Sequence, residues 1–497
     1  MSKKLKDMYA KLIRIFNSYH EVLLLVGVLV FMSAFALSDL TSRPAYWYDE
    51  AINVELARNF ADFGKLDLVV APDTFSGVGP TIGSTGYTIT APLGLFFKAF
   101  GFGLAEARVY MLIWMNVFLL SLFVVTKTLW DKYTAAFSTL FIASFAPFYG
   151  NGLSVMGEIP GFVFFLWSFY LLTKEKYWWS GLLLGLAVVS KPSIYVFLVF
   201  GFLAVFLFKR ELWKQKILDL FKVGIASVGA LVPWVFIYLD EVLNPLVWTE
   251  IVEHFRNPYG DAGFSTMQNI QNNLSSFWGS TTLLYFTVFL ALTIVAVFLR
   301  KDLFNAHRIF FILGATYIPL AFFQYIRSFG YLRYLIAAEF ITFMLFTLSL
   351  PALIDFFLKK YQNLPEKSMS IIAGGIFVLL ILVQTVHLFK FSDLYSSDKT
   401  QRTIQYLDLK YPKEIIGVMN VPHVGSLLSA DRKYQYLSTF GLWQFGTNSL
   451  LLSKDKLPAV LVLDTKESVQ DRDRETLMAN YEEDTAFSTG FTVYKRK

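Results

Sequence analysis

The sequence predicts an all-α bundle of about eleven membrane-spanning helices, followed by a small α/β domain outside the membrane. Three observations carry this reading. The 497 residues are 55% hydrophobic and only 16% charged, against roughly a quarter charged in an ordinary soluble domain. Apolar runs of about spanning length recur through the first four fifths of the chain and then stop. Connections rich in Lys and Arg alternate with poor ones, as polytopic membrane proteins require. The absence of cysteine excludes disulfide frameworks and thiolate chemistry. The net charge of +6 sits in short connections, so it does not call for nucleic acid.

The basic opening, MSKKLKDMYAKLIRIFNSYH, precedes the first apolar run without a small-residue cleavage site and reads as a cytoplasmic flank. Spans are expected at 22–38, 108–128, 134–149, 157–173, 180–190, 193–208, 218–239, 281–299, 308–326, 332–350 and 370–388. With the N-terminus inside, KTLWDKY, KEKYWW, KRELWKQK, RKDLFNAHR and KKYQNLPEK all fall on the cytoplasmic side. Residues 39–107, the turn NGLSVMGE, residues 240–280, RSFGYLR and the tail then face outward. The layout is N-in and C-out, in the plasma or inner membrane.

The first outer loop, 39–107, is too long for a connector. Ile52, Leu56, Phe60 and Phe63 recur at helical spacing against Asn53, Arg58, Asn59 and Asp62, which predicts an amphipathic helix lying in the interface. The segment APDTFSGVGPTIGSTGYTITAP reads as irregular, and LGLFFKAFGFG as a second interfacial helix. A loop folded over itself on the membrane encloses a site. The division follows: residues 1–390 form the membrane domain and 391–497 an outer α/β domain. In that tail TQRTIQYLDLKY and ESVQDRDRETLMANY read as helices, and EIIGVMNV, AVLVLDT and FTVYKRK as strands.

Ionisable residues at the outer ends of spans are the best pointers to function. Asp49 and Glu50 stand at the start of the interfacial helix, and Glu158 opens the fourth span in VMGEIPGF. Helix capping would account for an acid at any of these positions. Lys191 interrupts an apolar stretch in VVSKPSIYV, where Pro192 breaks the helix. Arg327 and Arg333 bracket RSFGYLR, with Tyr334 alongside. Cations are normally depleted on this side, and three at one level suit a lipid phosphate, although snorkelling would explain any one alone. His254, in EIVEHFRNPYG, is an ordinary outer-loop histidine, and Glu339 lies within the tenth span.

Held by outer cations, a lipid phosphate bearing a sugar is a good leaving group. The incoming hydroxyl or amine then needs one base, so a single carboxylate suffices for in-line displacement with inversion. A transporter or flippase of lipid-linked sugars is the alternative. It would also need outer cations, but it has no use for an outer base and usually shows matched halves that are absent here.

The stretches WYDEAINVELARNF, TAPLGLFFKAFGFGLAEARVY, GEIPGFVFFLWSFYLL, GLLLGLAVVSKPS and the late RYL resemble the membrane glycosyltransferases of the C-type fold (GT-C). The branch they are most similar to holds the protein O-mannosyltransferases and lipid A aminoarabinose transferases. The resemblance spans roughly residues 20–350; the tail carries no matching motif. It implies Asp49 as catalytic base with Glu50 completing the pair, and Glu158 shaping the acceptor or sugar site. It also implies that Lys191, Arg333 and Tyr334 bind the carrier phosphate, and less securely that Arg58 occupies a family position. The implied partners are a polyprenyl-phosphate-sugar donor and an outer-face acceptor: protein, lipid or glycan. Some relatives place a metal-binding histidine in the loop that holds His254. No second ligand is evident, so no metal or other cofactor is assigned.

Overall fold

The computed structural model describes residues 21–209, 212–256, 267–328, 330–361, 366–428, 433–437, 457–465, 469 and 471–497. The basic N-terminal flank lies outside them. Six helices among the described residues are long and apolar enough to cross a membrane: Leu104–Leu129, Trp213–Ile237, Thr281–Leu299, Arg308–Arg327, Leu332–Lys359 and Ile371–Lys410, the last breaking after Leu394 so that only its first part is apolar and Lys399–Lys410 belongs to the tail. Ala146–Leu153 and Glu158–Thr173, bent by 107° at their break, add a seventh if taken as one span. Glu21–Leu37, Tyr177–Ser190 and Pro192–Phe208 are apolar but shorter.

One expected span is redrawn. Residues 134–149 are not a single helix: Lys132–Ala143 ends at Ser144, and Ala146–Leu153 starts anew with Pro147 in its first turn. Proline has no N–H to extend the preceding ladder, and its ring clashes with the turn before it. The bundle core is knitted by phenylalanine. Phe118 meets Phe148, Phe162 and Phe340 with ring centroids 5.0–5.4 Å apart. Lipid provides no hydrophobic drive between helices, so such shape-fitted contacts hold them together.

The loop 39–107 contains the helix Tyr48–Phe63, a hairpin of β1 (Val69–Ala71) and β2 (Thr74–Phe75), and the helix Tyr87–Phe100. The segment expected to be irregular is therefore partly ordered, and the second helix begins six residues earlier than its apolar run. Gly86 supplies the left-handed turn that starts it, at φ 76°.

The tail forms a five-stranded sheet of β3 (Ile416–Met419), β4 (Tyr434–Leu437), β5 (Val460–Leu463), β6 (Tyr481–Glu483) and β7 (Thr492–Arg496), in the order β4-β3-β5-β7-β6. The β3 strand pairs in parallel with β4 and β5; β7 runs antiparallel to β5 and β6. The expected helices appear as Lys399–Lys410 and Asp471–Asn480. Side chains alternate along each strand, so the sheet has two buried faces. Met419, Leu461, Leu463 and Tyr494 pack with Leu477 of the helix Asp471–Asn480. Ile416, Val418, Tyr434, Tyr436 and Val460 instead share a core with Leu56, Leu66, Leu68 and Tyr87 of the loop 39–107. Tail and loop are one packed unit.

That packing corrects the reading of the first loop helix. Its buried residues are Glu50, Ala51, Val54, Glu55, Leu56, Ala57, Arg58 and Asn59, while Phe63 is exposed. The helix is buried on more than its apolar face, since Glu55, Arg58 and Asn59 are covered as well. It is enclosed by the tail, the second loop helix and the turn before Glu158, and the tail provides polar partners that hydrocarbon cannot.

Candidate active site

Asp49 and Glu50 are neighbours in sequence and have separate tasks in the structure. The helix begins with Trp47 as N-cap, without a side-chain cap, so Asp49 is its second residue and Glu50 its third. Glu50 is fully buried and accepts from Arg108 Nε at 3.1 Å and Nη2 at 3.0 Å. The backbone N–H groups of Val155 and Trp47 also donate to it. The bond to Trp47 is the returning half of a capping box, in which the third residue satisfies the N-cap amide. Burial raises the Glu50 carboxyl above its usual range, and the Arg108 charge and hydrogen bonds pull it part of the way back. Glu50 therefore anchors the helix. Arg108 was not singled out in the sequence, although an arginine opening an apolar span was a signal that could have marked it.

Asp49 points the other way and is 38% exposed. Its Oδ2 accepts a hydrogen bond from Arg333 Nη2, across 284 positions of sequence. Capping does not occupy it. Arg333 lies in the 3-10 turn Leu332–Leu335, with its guanidinium 4.3 Å from the Trp47 ring centroid, 5.0 Å from Tyr331 and 5.7 Å from Tyr334. This aromatic cage holds the guanidinium plane in place. Nε and Nη1 of Arg333 are buried with no hydrogen-bond partner among the described residues.

Glu158 opens the helix Glu158–Thr173 and is fully buried, with neither carboxylate oxygen hydrogen-bonded among the described residues. Lys191 Nζ lies 4.0 Å from its Oε1, and its carboxylate also acts electrostatically on Arg333. Lys191 sits at the break between Tyr177–Ser190 and Pro192–Tyr195. Pro192 disfavours helical backbone at the residue before it, and Lys191 is extended there, at φ −156°. The carbonyl of Val189 left open by the break is taken by Gly86 N–H at 2.8 Å. Gly157 permits the close approach: a Cβ there would stand 1.9 Å from the Ser190 carbonyl oxygen.

The turn 154–156 ties these parts together. Trp47 Nε1 donates to Ser154 Oγ at 3.2 Å, and Asn53 Nδ2 to the Val155 carbonyl at 2.7 Å. Asp49, Glu158, Lys191, Arg333 and the buried Tyr334 thus form one group. Two expected members fall elsewhere. Arg327 is exposed at its helix end, over the Phe323 ring at 5.5 Å. Arg58 is buried against the tail and bonded to the carbonyls of Ser426 and Leu428, so it is no phosphate ligand in this arrangement.

Two carboxylates and two cations, buried or half-buried, leave donors and acceptors waiting for a ligand. Free guanidinium and ammonium hydrogens suit a phosphate; an exposed carboxylate beside them can take a proton. Among the described residues, no three His, Asp or Glu side chains are grouped to hold a metal ion. A divalent cation between Asp49 and Glu158 would meet Arg333 and Lys191, so the site does not fit one. His254 lies half-buried in the helix Pro245–Arg256.

Neither a protein-family model nor a curated protein matches the sequence. Solved structures match the fold. ArnT from Cupriavidus metallidurans in the apo state aligns at a TM-score of 0.65 and 14% identity, over 96% of this chain and 98% of that one. The same protein bound to undecaprenyl phosphate aligns at 0.60 and 13%, with the same coverage. The apo oligosaccharyltransferase of Archaeoglobus fulgidus aligns at 0.53 and 11%, over 96% of this chain and 74% of that one. Identities this low speak for fold, and the match runs through bundle, loop and tail alike. The chain resembles the C-type membrane glycosyltransferases, and over nearly its whole length it has their fold.

Proposed function

We propose that the chain is an inverting membrane glycosyltransferase that moves one sugar from a polyprenyl-monophosphate donor to an acceptor on the outer face. The observation that carries this reading is Asp49 held against Arg333, with Lys191 beside them and paired to Glu158, whose carboxylate oxygens accept no hydrogen bond among the described residues. In the reaction, the acceptor hydroxyl or amine loses its proton to Asp49 as its oxygen or nitrogen attacks the anomeric carbon. The bond from that carbon to the phosphate oxygen breaks, and its electron pair leaves with the phosphate. Arg333 and Lys191 stabilise the charge that gathers there. Glu158 shapes the sugar or acceptor side. The ArnT structure with undecaprenyl phosphate supports a polyprenyl carrier.

The test is to incubate the protein in membranes with polyprenyl-phosphate sugars and an extract of envelope acceptors. Release of free polyprenyl phosphate, matched by a product of inverted anomeric configuration, is expected. Movement of intact donor across the bilayer without release would favour a flippase. Lys191→Ala and Arg333→Ala are each expected to raise the donor KM roughly tenfold or more, the effect of losing a charged hydrogen bond. Donor titrations unchanged in both variants would leave these residues as interface anchors only.

A further inference from the structure

The transfer chemistry makes no use of the buried polar contacts joining tail to loop helix. Glu55 is 0% and Arg58 4% exposed, both in the sixteen-residue helix that carries Asp49. Arg58 Nη1 donates to the carbonyls of Ser426 at 3.1 Å and Leu428 at 2.9 Å, and Nη2 to the Tyr434 hydroxyl. The Tyr434 hydroxyl donates to Glu55 Oε1 at 2.7 Å, and that of Tyr436 to Oε2. Val69 N–H, from the loop hairpin, also donates to Glu55. Nearer Asp49, the Tyr46 hydroxyl meets Ser426 Oγ at 2.8 Å, and the His423 ring packs edgewise on both Tyr46 and Tyr48.

A slip of one residue would turn the helix by about 100° and strand both charges in an apolar core. The apolar contacts of Leu56 with the tail sheet carry no such directional demand. Hydrogen bonds to buried charges specify one register; apolar burial specifies only a face.

We propose that the tail is a positioning element of the active site: Tyr434, Tyr436 and Ser426 fix the register of the loop helix through Glu55 and Arg58, and so hold Asp49 at Arg333. These are positioning residues, and none touches the reacting atoms. The proposal rests on Asp49 being the base.

The test uses the full-length protein carrying Tyr434→Phe and Tyr436→Phe, which keeps both rings and removes both hydroxyls. Hydrogen–deuterium exchange across residues 48–63 is expected to rise. The kcat is expected to fall roughly tenfold to a hundredfold, since small misplacements of a reacting group cost that much. Donor KM is expected to change less than about threefold, because Lys191 stands on the bundle. Asp484→Asn is the control. It breaks a cluster internal to the tail, with Lys410 at 2.8 Å and Tyr406 and Tyr411 both at 2.6 Å. It should loosen the tail and leave kcat and exchange in 48–63 at wild-type values.

Unchanged exchange in 48–63 for the tyrosine variant would overturn the proposal. So would an equal loss of kcat in Asp484→Asn. Should the double variant not fold, the single variant Tyr436→Phe, which removes the hydroxyl that donates to Glu55 Oε2, is read by the same criteria with a smaller expected effect. The exchange measurement needs no knowledge of the reaction, so failure of this lock and failure of the glycosyltransferase reading are told apart.

Discussion

Replacing Asp49 with asparagine is expected to lower kcat by roughly 10²- to 10⁴-fold, the usual worth of a positioned general base. Asparagine keeps the shape of the side chain and an oxygen that still accepts from Arg333 Nη2, so the local geometry survives. It cannot take a proton. The donor should therefore bind within a few-fold of wild type, with its phosphate on Lys191 and the remaining donors of Arg333. The measurement is single-turnover transfer from a labelled donor in membranes, alongside donor titration. Transfer at wild-type rate in this variant would remove Asp49 from the chemistry. A loss confined to donor affinity would make it a holder of Arg333 and nothing more.

Arg108→Ala is expected to have the largest effect on folding, about 3–5 kcal/mol, by leaving the buried Glu50 without its counter-charge. The substitution also strips the Leu40 carbonyl of the 2.8 Å bond from Nη1, which ties the neck of the loop to the helix Leu104–Leu129. Thermal unfolding in detergent, followed by fluorescence, reads the loss. The double variant Glu50→Gln with Arg108→Met should be markedly less damaging than Arg108→Ala, because no isolated charge remains. Equal damage in both would show that packing volume, and not the ion pair, holds the loop.

Much of the architecture was legible. The span 281–299 coincides with the helix Thr281–Leu299, since an unbroken apolar run of that length has one outcome in a bilayer. The first loop helix, the later part of the second and three of the tail strands also fall where their residues place them. The strands Tyr434–Leu437 and Tyr481–Glu483 were missed because the first is only four residues broken by Gln435, and the second holds one apolar residue followed by Glu482 and Glu483, so neither means much without the neighbouring strands. The apolar face read into Tyr48–Phe63 is present, with Ile52, Leu56 and Phe60 in one core, but it is covered by loop and tail. Periodicity shows which residues share a face, and it is silent on what covers that face.

The site divides along the same line. The sequence by itself determined that acids and cations gather at the ends of apolar spans, because charge at those positions is costly and visible against its surroundings. It determined the helix break at Lys191 as well, since proline acts locally. Only the tertiary structure decided which member of the acid pair does what. Asp49 and Glu50 are one residue apart, hence about 100° apart around the helix, and that turn sends one to Arg333 and the other to Arg108. It also moved Arg58 from the expected phosphate site into the tail's grip. Such partners lie dozens to hundreds of residues away, and no local pattern encodes them; the packing of loop, bundle and tail does.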